Sequence, residues 1–368
     1  MKYPPFCPNK LCEKHTLIHR ERNWYIRSGY YQTAISGSIK RYKCRLCGMR
    51  FSDQSFSINY AARRKLSYDY ILKQLKSAAG IRDIARDLKV SPTTIQNRIS
   101  RLSRQALAIH AGLKGSIRLN EDLVADGFES FVVSQYFPNN INLLAGKDSQ
   151  YLYSFDYAHI SRKGRMTDYQ KRRNQEMRDK TTGKISITKS FRNICKEIDL
   201  LLEKGTREHT VLFTDEKPQY PAVLALCKFS RPLSHVKINS KLPRSLSNDL
   251  FSVNYLDREI RKDNANHVRE TVQFSRNVNN VMERLAVYGL YHNYIKPYRI
   301  NSPGNKVHAE VAGIDRKRID SELKTLFTSR RFYTRILRLS GKEMRTWFRG
   351  FSTPGKIGYE YVPGYAAG

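Results

Sequence analysis

With 368 residues, 40% of them hydrophobic, the chain has material for two or three domains with real cores, which excludes a disordered tail or a small disulfide-stapled module. Its 66 Lys and Arg against 33 Asp and Glu leave a formal charge of +33 spread along almost the whole length. A surplus that repels itself this strongly calls for a polyanionic partner, with DNA or RNA ahead of an anionic membrane or the ribosome. No apolar run approaches the ~20 residues of a membrane span, so a cytoplasmic, nucleoid-associated protein without a membrane partner is expected.

Residues 1–60 read as a zinc ribbon. Cys7 and Cys12 form a CxxxxC pair, and Cys44 and Cys47 form a CxxC pair followed by Gly48, which turns the backbone back toward a metal. Four thiolates make a closed tetrahedral site that suits structural Zn2+ and leaves no position open for catalysis. His15 or His19 is an alternative ligand in place of Cys12. Between the pairs, Trp24-Tyr25-Ile26 and Tyr30-Tyr31 predict short strands. Cys195 and Cys227 stand in apolar surroundings and are expected to be small core residues. Ribbons of this kind grip DNA, RNA and proteins alike, so zinc names no activity.

Residues 64–111 predict a trihelical helix-turn-helix. Ser67 caps a pattern of Ile71, Leu72, Leu75, Ala78 and Ala79 that ends at Gly80. A second helix starts at Ile81 with Ile84, Ala85 and Leu88 inward, and Lys89-Val90-Ser91 makes the turn. Ser91 caps a third helix with Pro92 at its first position, where the missing amide hydrogen costs nothing. Ile95, Ile99 and Leu102 face inward, which leaves Thr93, Thr94, Gln96, Asn97, Arg98 and Arg101 outside. Short polar groups and amides for base edges, with arginines for guanine or phosphate, are what a major-groove recognition helix uses. The alternative is a packing module that never enters a groove. From Arg101 to Gly115 the pattern continues as helix and linker.

Residues 116–300 change texture. Alternating patterns at Leu123–Phe128, Ser130–Gln135, Ile141–Ala145 and Tyr151–Phe155 predict consecutive antiparallel strands. A basic polar stretch, Arg162–Lys184, precedes an amphipathic helix over about Ser190–Lys204. A buried strand, Thr210–Thr214, then runs straight into Asp215-Glu216-Lys217. A helix around Ala222–Cys227, a strand at His235–Ile238 and a long helix over Asn254–Tyr294 follow. This is the element order of an RNase H-like α/β domain with a mixed five-stranded sheet, making the whole chain multidomain α+β. In that fold the first and fourth strands are neighbours, so Asp126 and Asp215 would meet, with Asp122 the competing ligand, and a third acid on the last helix would close the cluster. Such carboxylates suit two Mg2+ (or Mn2+) ions about 4 Å apart, which activate water or a 3′-hydroxyl and stabilise the leaving oxygen. His267 is expected to be structural rather than a neighbour of the scissile phosphate.

Three segments resemble the catalytic blocks of DDE insertion-sequence transposases: Asp126-Gly-Phe-Glu-Ser-Phe, Phe213-Thr-Asp215-Glu-Lys-Pro-Gln-Tyr220, and Asn254-Tyr-Leu-Asp257-Arg258-Glu-Ile-Arg261 followed by Arg269-Glu-Thr-Val-Gln-Phe-Ser-Arg276. The pattern is similar to that of the insertion-sequence-one and insertion-sequence-six lineages, and the resemblance covers most of residues 7–300. It implies strand cleavage at element ends and strand transfer into target DNA. It also implies double-stranded DNA partners (terminal inverted repeats and target) and a homodimer or larger synaptic assembly. One departure stands out: Asp257 occupies the family's Glu position, giving a DDD site, and Glu259 is the runner-up. Two residues on a helix turn a side chain by about 200°, so the two acids cannot both face the metals. Asp263, Glu270 and Glu283 are expected to be helix-surface partners of arginines. The rival readings are a non-catalytic ribbon and helix-turn-helix regulator, such as a decayed transposase, and an RNase H-like nuclease or resolvase.

Residues 301–368 form a basic helical segment that begins with a turn at Asn301-Ser-Pro-Gly304. Arg330-Arg331-Phe332-Tyr333 and Lys342–Phe351, with Trp347, interleave cations and aromatics, as phosphate contacts with base stacking require. Packing on the catalytic domain through those aromatics is the alternative. Tyr365–Gly368 is expected to fray.

Overall fold

The computed structural model describes residues 4–15, 23–162, 164–179, 183–268, 271–299, 306–334, 337–356 and 360–367. It is a mixed α/β structure with a three-stranded and a five-stranded sheet. The small sheet is antiparallel, with β1 (Tyr25–Thr33), β2 (Gly37–Cys44) and β3 (Arg50–Ser52) in that order. One face carries an aromatic cluster of Trp24, Tyr25, Tyr42, Phe51, Phe56 and Phe6. Phe332, far along the chain, completes it edge-on to Phe6 at 5.1 Å.

Helices α1 (Tyr68–Leu75), α2 (Ile81–Asp87) and α3 (Pro92–Lys114) follow, with the Ser67 and Ser91 side chains accepting from the amides of Tyr70 and Thr94. Helix α1 stops sooner than the apolar periodicity implies, because Ala78 adopts a φ of 57° and its amide bonds the Asp263 carbonyl. The expected helix and linker after Arg101 is a single 23-residue helix. Its first half packs Ile95, Ile99 and Leu102 against α1 and α2, and its second half sends Ala106, Ile109 and Leu113 into the core of the large sheet. At ~1.5 Å per residue this is a rod of about 34 Å.

The large sheet has the order β6-β5-β4-β7-β8, from β4 (Leu123–Phe131), β5 (Pro138–Gly146), β6 (Leu152–His159), β7 (Thr210–Asp215) and β8 (Leu233–Ile238). Strands β4, β5 and β6 pair antiparallel, β7 lies parallel to β4, and β8 parallel to β7. The period of two sorts the side chains. Leu123, Ala125 and Leu212 face Phe191, Ile194 and Tyr220 on α5 (Ile187–Glu203) and α6 (Gln219–Leu224). Val124, Phe128 and Phe213 face Val253, Leu256 and Leu285 on α7 (Phe251–Asp263) and α8 (Val278–Tyr294). Within the basic stretch lies α4 (Asp168–Asp179).

Two expectations are corrected. Ser130–Gln135 is not a strand of its own: β4 runs on to Phe131, and Val133, at φ 64°, turns the chain toward β5. The long helix is two helices, because Asn264 takes extended angles at the end of α7 and Asn277 caps α8 by accepting from the Asn279 amide. Asparagine side chains compete for backbone groups, which favours such breaks.

The carboxy-terminal segment, with α9 (His308–Val311), α10 (Arg316–Leu323), α11 (Gly341–Trp347) and α12 (Gly364–Ala367), packs against the rest. Trp347 is fully buried and donates to the Ala366 carbonyl at 2.8 Å, so Tyr365 and Ala366, expected to fray, lie in the interior. Arg330 is buried over the rings of Tyr60, Phe332 and Tyr365. These cations and aromatics pack against each other rather than standing ready for bases. A buried ion cluster ties the parts together: Lys114 on α3 lies 2.8 Å from Glu197 on α5 and 3.2 Å from Glu343 on α11, and Lys342 lies 2.7 Å from Glu197. Burial opposes ionisation of Glu197, but Lys114 and Lys342 outweigh it and hold the carboxyl at about 2. Glu197→Ala leaves the buried Lys342 ammonium without its carboxylate and Lys114 with Glu343 alone, and is expected to cost roughly 3–5 kcal/mol, read as a lowered urea midpoint.

Candidate functional site

The parallel register pairs Val124 with Phe213 and Ala125 with Thr214, so the next residues out of the core, Asp126 and Asp215, stand side by side. Both are half-buried. The Gly127 amide donates to Asp126 Oδ1 at 2.6 Å, and the Lys217 amide to Asp215 Oδ1 at 3.2 Å. Burial pushes the Asp126 carboxyl up to about 7, the neighbouring Asp215 charge pushes the same way, and the Gly127 amide and Lys217 offset part of the rise. The pair opens into a cleft of about 230 Å³ whose walls include Gly127, Glu129, Lys217, Arg244 and Asn254.

Asp257 on α7 lines an adjoining depression that shares Arg244 and Asn254 with this cleft. Its carboxylate adds to the field on Asp126 but is paired with Arg261 at 3.2 Å. Glu259 lies elsewhere, buried 2.5 Å from Lys296 and 2.9 Å from Lys262. Asp122 is also committed elsewhere, accepting from the Val211 amide at 3.0 Å and pairing with Arg207. His267 is buried, 3.1 Å from Ser130 Oγ, and burial pushes its pKa down to about 3, so it is a neutral core imidazole. Asp263 and Glu283, expected on helix surfaces, are buried. Glu283 accepts from Ser100 and Gln96 and pairs with Arg349. Arg269 and Glu270 lie outside the described residues.

Among the described residues, the group that gathers closely enough for a metal is Cys7, Cys12, Cys44 and Cys47, whose sulfurs all lie within 4.8 Å of one another. The three aspartates are not gathered this tightly. Sulfur separations of 3.6 Å (Cys7 to Cys47) and 3.9 Å (Cys12 to Cys44) match the ~3.8 Å edge of a tetrahedron with Zn–S near 2.3 Å. Gly48 takes the turning conformation at φ 71°. Cys12, not His15, is the fourth ligand position: His15 Nδ1 lies 2.6 Å from the Cys7 carbonyl oxygen and braces the knuckle. His19 lies outside the described residues.

Of the recognition-helix set, Thr93 and Asn97 are exposed and Thr94 and Gln96 half-buried, with Gln96 bonded to Glu283 at 3.0 Å. Arg98 is buried and donates to the Arg64 carbonyl at 2.8 Å, while Arg101 donates to the carbonyls of Ile58 and Tyr60. These two arginines tie α3 to the preceding segment. What the reading of α3 alone missed is a cleft of about 1220 Å³ running across this helix, lined by Arg63, Arg64, Arg82, Arg86, Lys89, Arg98, Arg101 and Arg104 and by no carboxylate. The Arg63-Arg64 pair and the four-residue spacing of Arg82 and Arg86 were the available signals. The chain matches no family model and no curated protein.

Two outcomes are expected. The full chain should carry one Zn2+, which Cys12→Ser or Cys44→Ser removes and His15→Ala leaves, by elemental analysis. An acid whose folded pKa is raised favours the fold while protonated and loses that advantage as pH rises from about 4 through about 7. Asp126→Asn should therefore raise Tm at pH 8 by roughly 2–4 °C and leave it unchanged near pH 4, by calorimetry.

Proposed function

We propose that this protein is a transposase of the DDE/DDD insertion-sequence type, an RNase H-like enzyme that cleaves element ends and transfers the freed strand into target DNA. The observation that carries the reading is the placement of Asp126, just past the stretch of β4 that pairs with β7, beside Asp215 at the end of β7, with Asp257 on the next helix over. The sheet order supports an RNase H-like scaffold, and the capped α2–turn–α3 unit supports a helix-turn-helix.

The Asp126 and Asp215 carboxylates are hard oxygen ligands, and the raised pKa of Asp126 marks a site short of positive charge, which fits Mg2+ or Mn2+. Two such ions, when bound, would activate water or a 3′-hydroxyl and neutralise the leaving oxygen. Asp257 must leave Arg261 to join the pair. The four cysteines would hold a structural Zn2+. The ribbon, the outer residues of α3 and the cationic cleft would hold terminal inverted repeats and target DNA, and two such ends require a homodimer or larger assembly. No described helix is long and apolar enough to cross a membrane; on this reading the protein works on DNA in the cytoplasm.

A second reading, a non-catalytic DNA-binding regulator, draws on the Asp257–Arg261 pair and the loose spacing of the three acids. Incubation with labelled candidate element ends and Mg2+ separates the two. Wild type should give joined products, and Asp215→Asn should lose them by roughly 10³-fold or more while still binding ends. End binding by wild type without any metal-dependent product would leave the regulator, and cutting without joining a nuclease. Affinity for the ends should fall roughly 10³-fold or more between about 50 and about 200 mM salt, since many phosphate contacts release many counterions.

A further inference from the structure

Beside the acidic cleft, and sharing its Arg244 and Asn254, lies a depression of about 320 Å³ walled by α7. Phe251, Tyr255 and Arg258 stand there at i, i+4 and i+7, so they share one stripe of the helix. The stripe that packs on the sheet is a different one, with Val253, Leu256 and Ile260. Phe251 and Tyr255 are half-buried and stand outside the cores on both faces of the large sheet. Their rings stack at 6.1 Å and 23°, with the Arg258 guanidinium 5.3 Å from the Tyr255 centroid. From the interior, Lys296 lies over Tyr255 at 5.0 Å and the buried His308 ring lies 6.4 Å away, which braces the shelf.

The charge around this shelf is one-sided. Among the residues lining the depression the one acid is Asp257, and Arg261 is already paired with it. Arg244 and Arg258 are exposed. Arg258 has a loose contact of 3.6 Å with Glu259, an acid that Lys296 and Lys262 already hold. An aromatic shelf edged by two exposed guanidinium groups suits a flat ring that carries a phosphate. A base paired in a duplex lies inside the stack and meets protein at its edges, from an element that projects into a groove. A recessed shelf meets the face of a base only where the strand is unpaired. The size agrees, since small-ligand sites begin at roughly 300 Å³, which leaves room for a nucleotide and none for a double helix.

We propose that this depression holds one unpaired DNA nucleotide, its base on the Phe251–Tyr255 shelf and its phosphates accepting from Arg244 and Arg258. This rests on the DNA chemistry proposed above and adds where the strand lies beside the acids. Because the two cavities share Arg244 and Asn254, that nucleotide is a near neighbour of the phosphodiester at Asp126 and Asp215.

The test is calorimetric titration of the full chain with a thymidine trinucleotide and with the same trimer lacking its bases, in Mg2+ and about 200 mM salt to screen diffuse phosphate contacts. Wild type should bind the thymidine trimer about tenfold or more tighter than the abasic one. Phe251→Leu keeps an apolar side chain and removes the aromatic face. It should lose that preference while binding the abasic trimer within twofold of wild type, which also shows that the chain is folded. Arg258→Gln should weaken both trimers about fivefold or more. Wild type that binds neither trimer or binds both equally, a Phe251→Leu chain that keeps the preference, or Arg258→Gln that weakens neither trimer overturns the proposal. So does Phe251→Leu that weakens both trimers alike, since the ring would then support the fold and not a base. Phe251-dependent preference for the thymidine trimer in a chain that never joins strands would sink the transposase reading and leave the nucleotide site standing. Normal joining by a chain indifferent to the bases of the trimer would do the reverse.

Discussion

The parallel hydrogen-bond ladder between β4 and β7 holds two like charges next to each other, and the chemistry proposed for this chain depends on it. Left to themselves, two carboxylates separate or one takes up a proton, and the Asp126 pKa, raised first by burial, is raised further by the Asp215 charge. The ladder wins because the tension is local while the strands are anchored on both faces, by Phe191, Ile194 and Tyr220 on one side and Val253, Leu256 and Leu285 on the other. A site that destabilises its own fold is what function, rather than packing, would retain.

The rest of the molecule reads as bracing for that ladder and for its link to the amino-terminal half. Helix α3 begins in the small helical domain and ends in the core under β4, so one rigid element spans both. The charges buried along it are satisfied from several directions. Arg104 donates from Nε and Nη2 to the Trp347 carbonyl, Lys114 meets Glu197 and Glu343, and Ser100 and Gln96 meet Glu283 on α8. The carboxy-terminal segment closes the structure by laying Phe332 on the small aromatic cluster and Tyr365 beside Arg101 and Arg330. A polynucleotide gripped by the cationic cleft would thus pull on a body continuous with the acidic site.

What could be read from the sequence was local in origin. The cysteine spacing, the serine caps with Pro92, and the strand patterns that put Asp126 on the first strand and Asp215 at the tip of the fourth all express rules that act within a few residues, and the structure has each feature in place. What could not be read depends on distant partners. Arg98 and Arg101 look like solvent-facing groups on any helical projection, yet carbonyls at Ile58, Tyr60 and Arg64 claim them. Glu283 has the spacing of a surface residue and is buried because Arg349 reaches it from far along the chain. The burial of Tyr365 has the same cause: tertiary contacts override local preference. Nor does +33 all face outward, for Arg104, Arg284 and Arg330 sit in the interior.

Asp257 is where the architecture and the proposed chemistry press on each other most. On the proposed transposase reading Asp257 stands where the pattern has Glu, and an aspartate reaches about one carbon–carbon bond less far, so α7 must lie close to β4 for it to take part. Arg261, one turn further along α7, secures that approach: it donates to the Glu129 carbonyl at 2.8 Å, lies over the Phe128 ring and pairs with Asp257. The same guanidinium keeps a third negative charge from adding its full repulsion to the Asp126–Asp215 pair while that pair has no cation. On the proposed reading, cations arriving between the strands would compete with Arg261 for Asp257, and the arginine's two contacts on β4 would hold the helix in position as the carboxylate changes partners. On that reading an Asp at this position is tolerable because one arginine both shortens the gap and neutralises the acid that has to cross it.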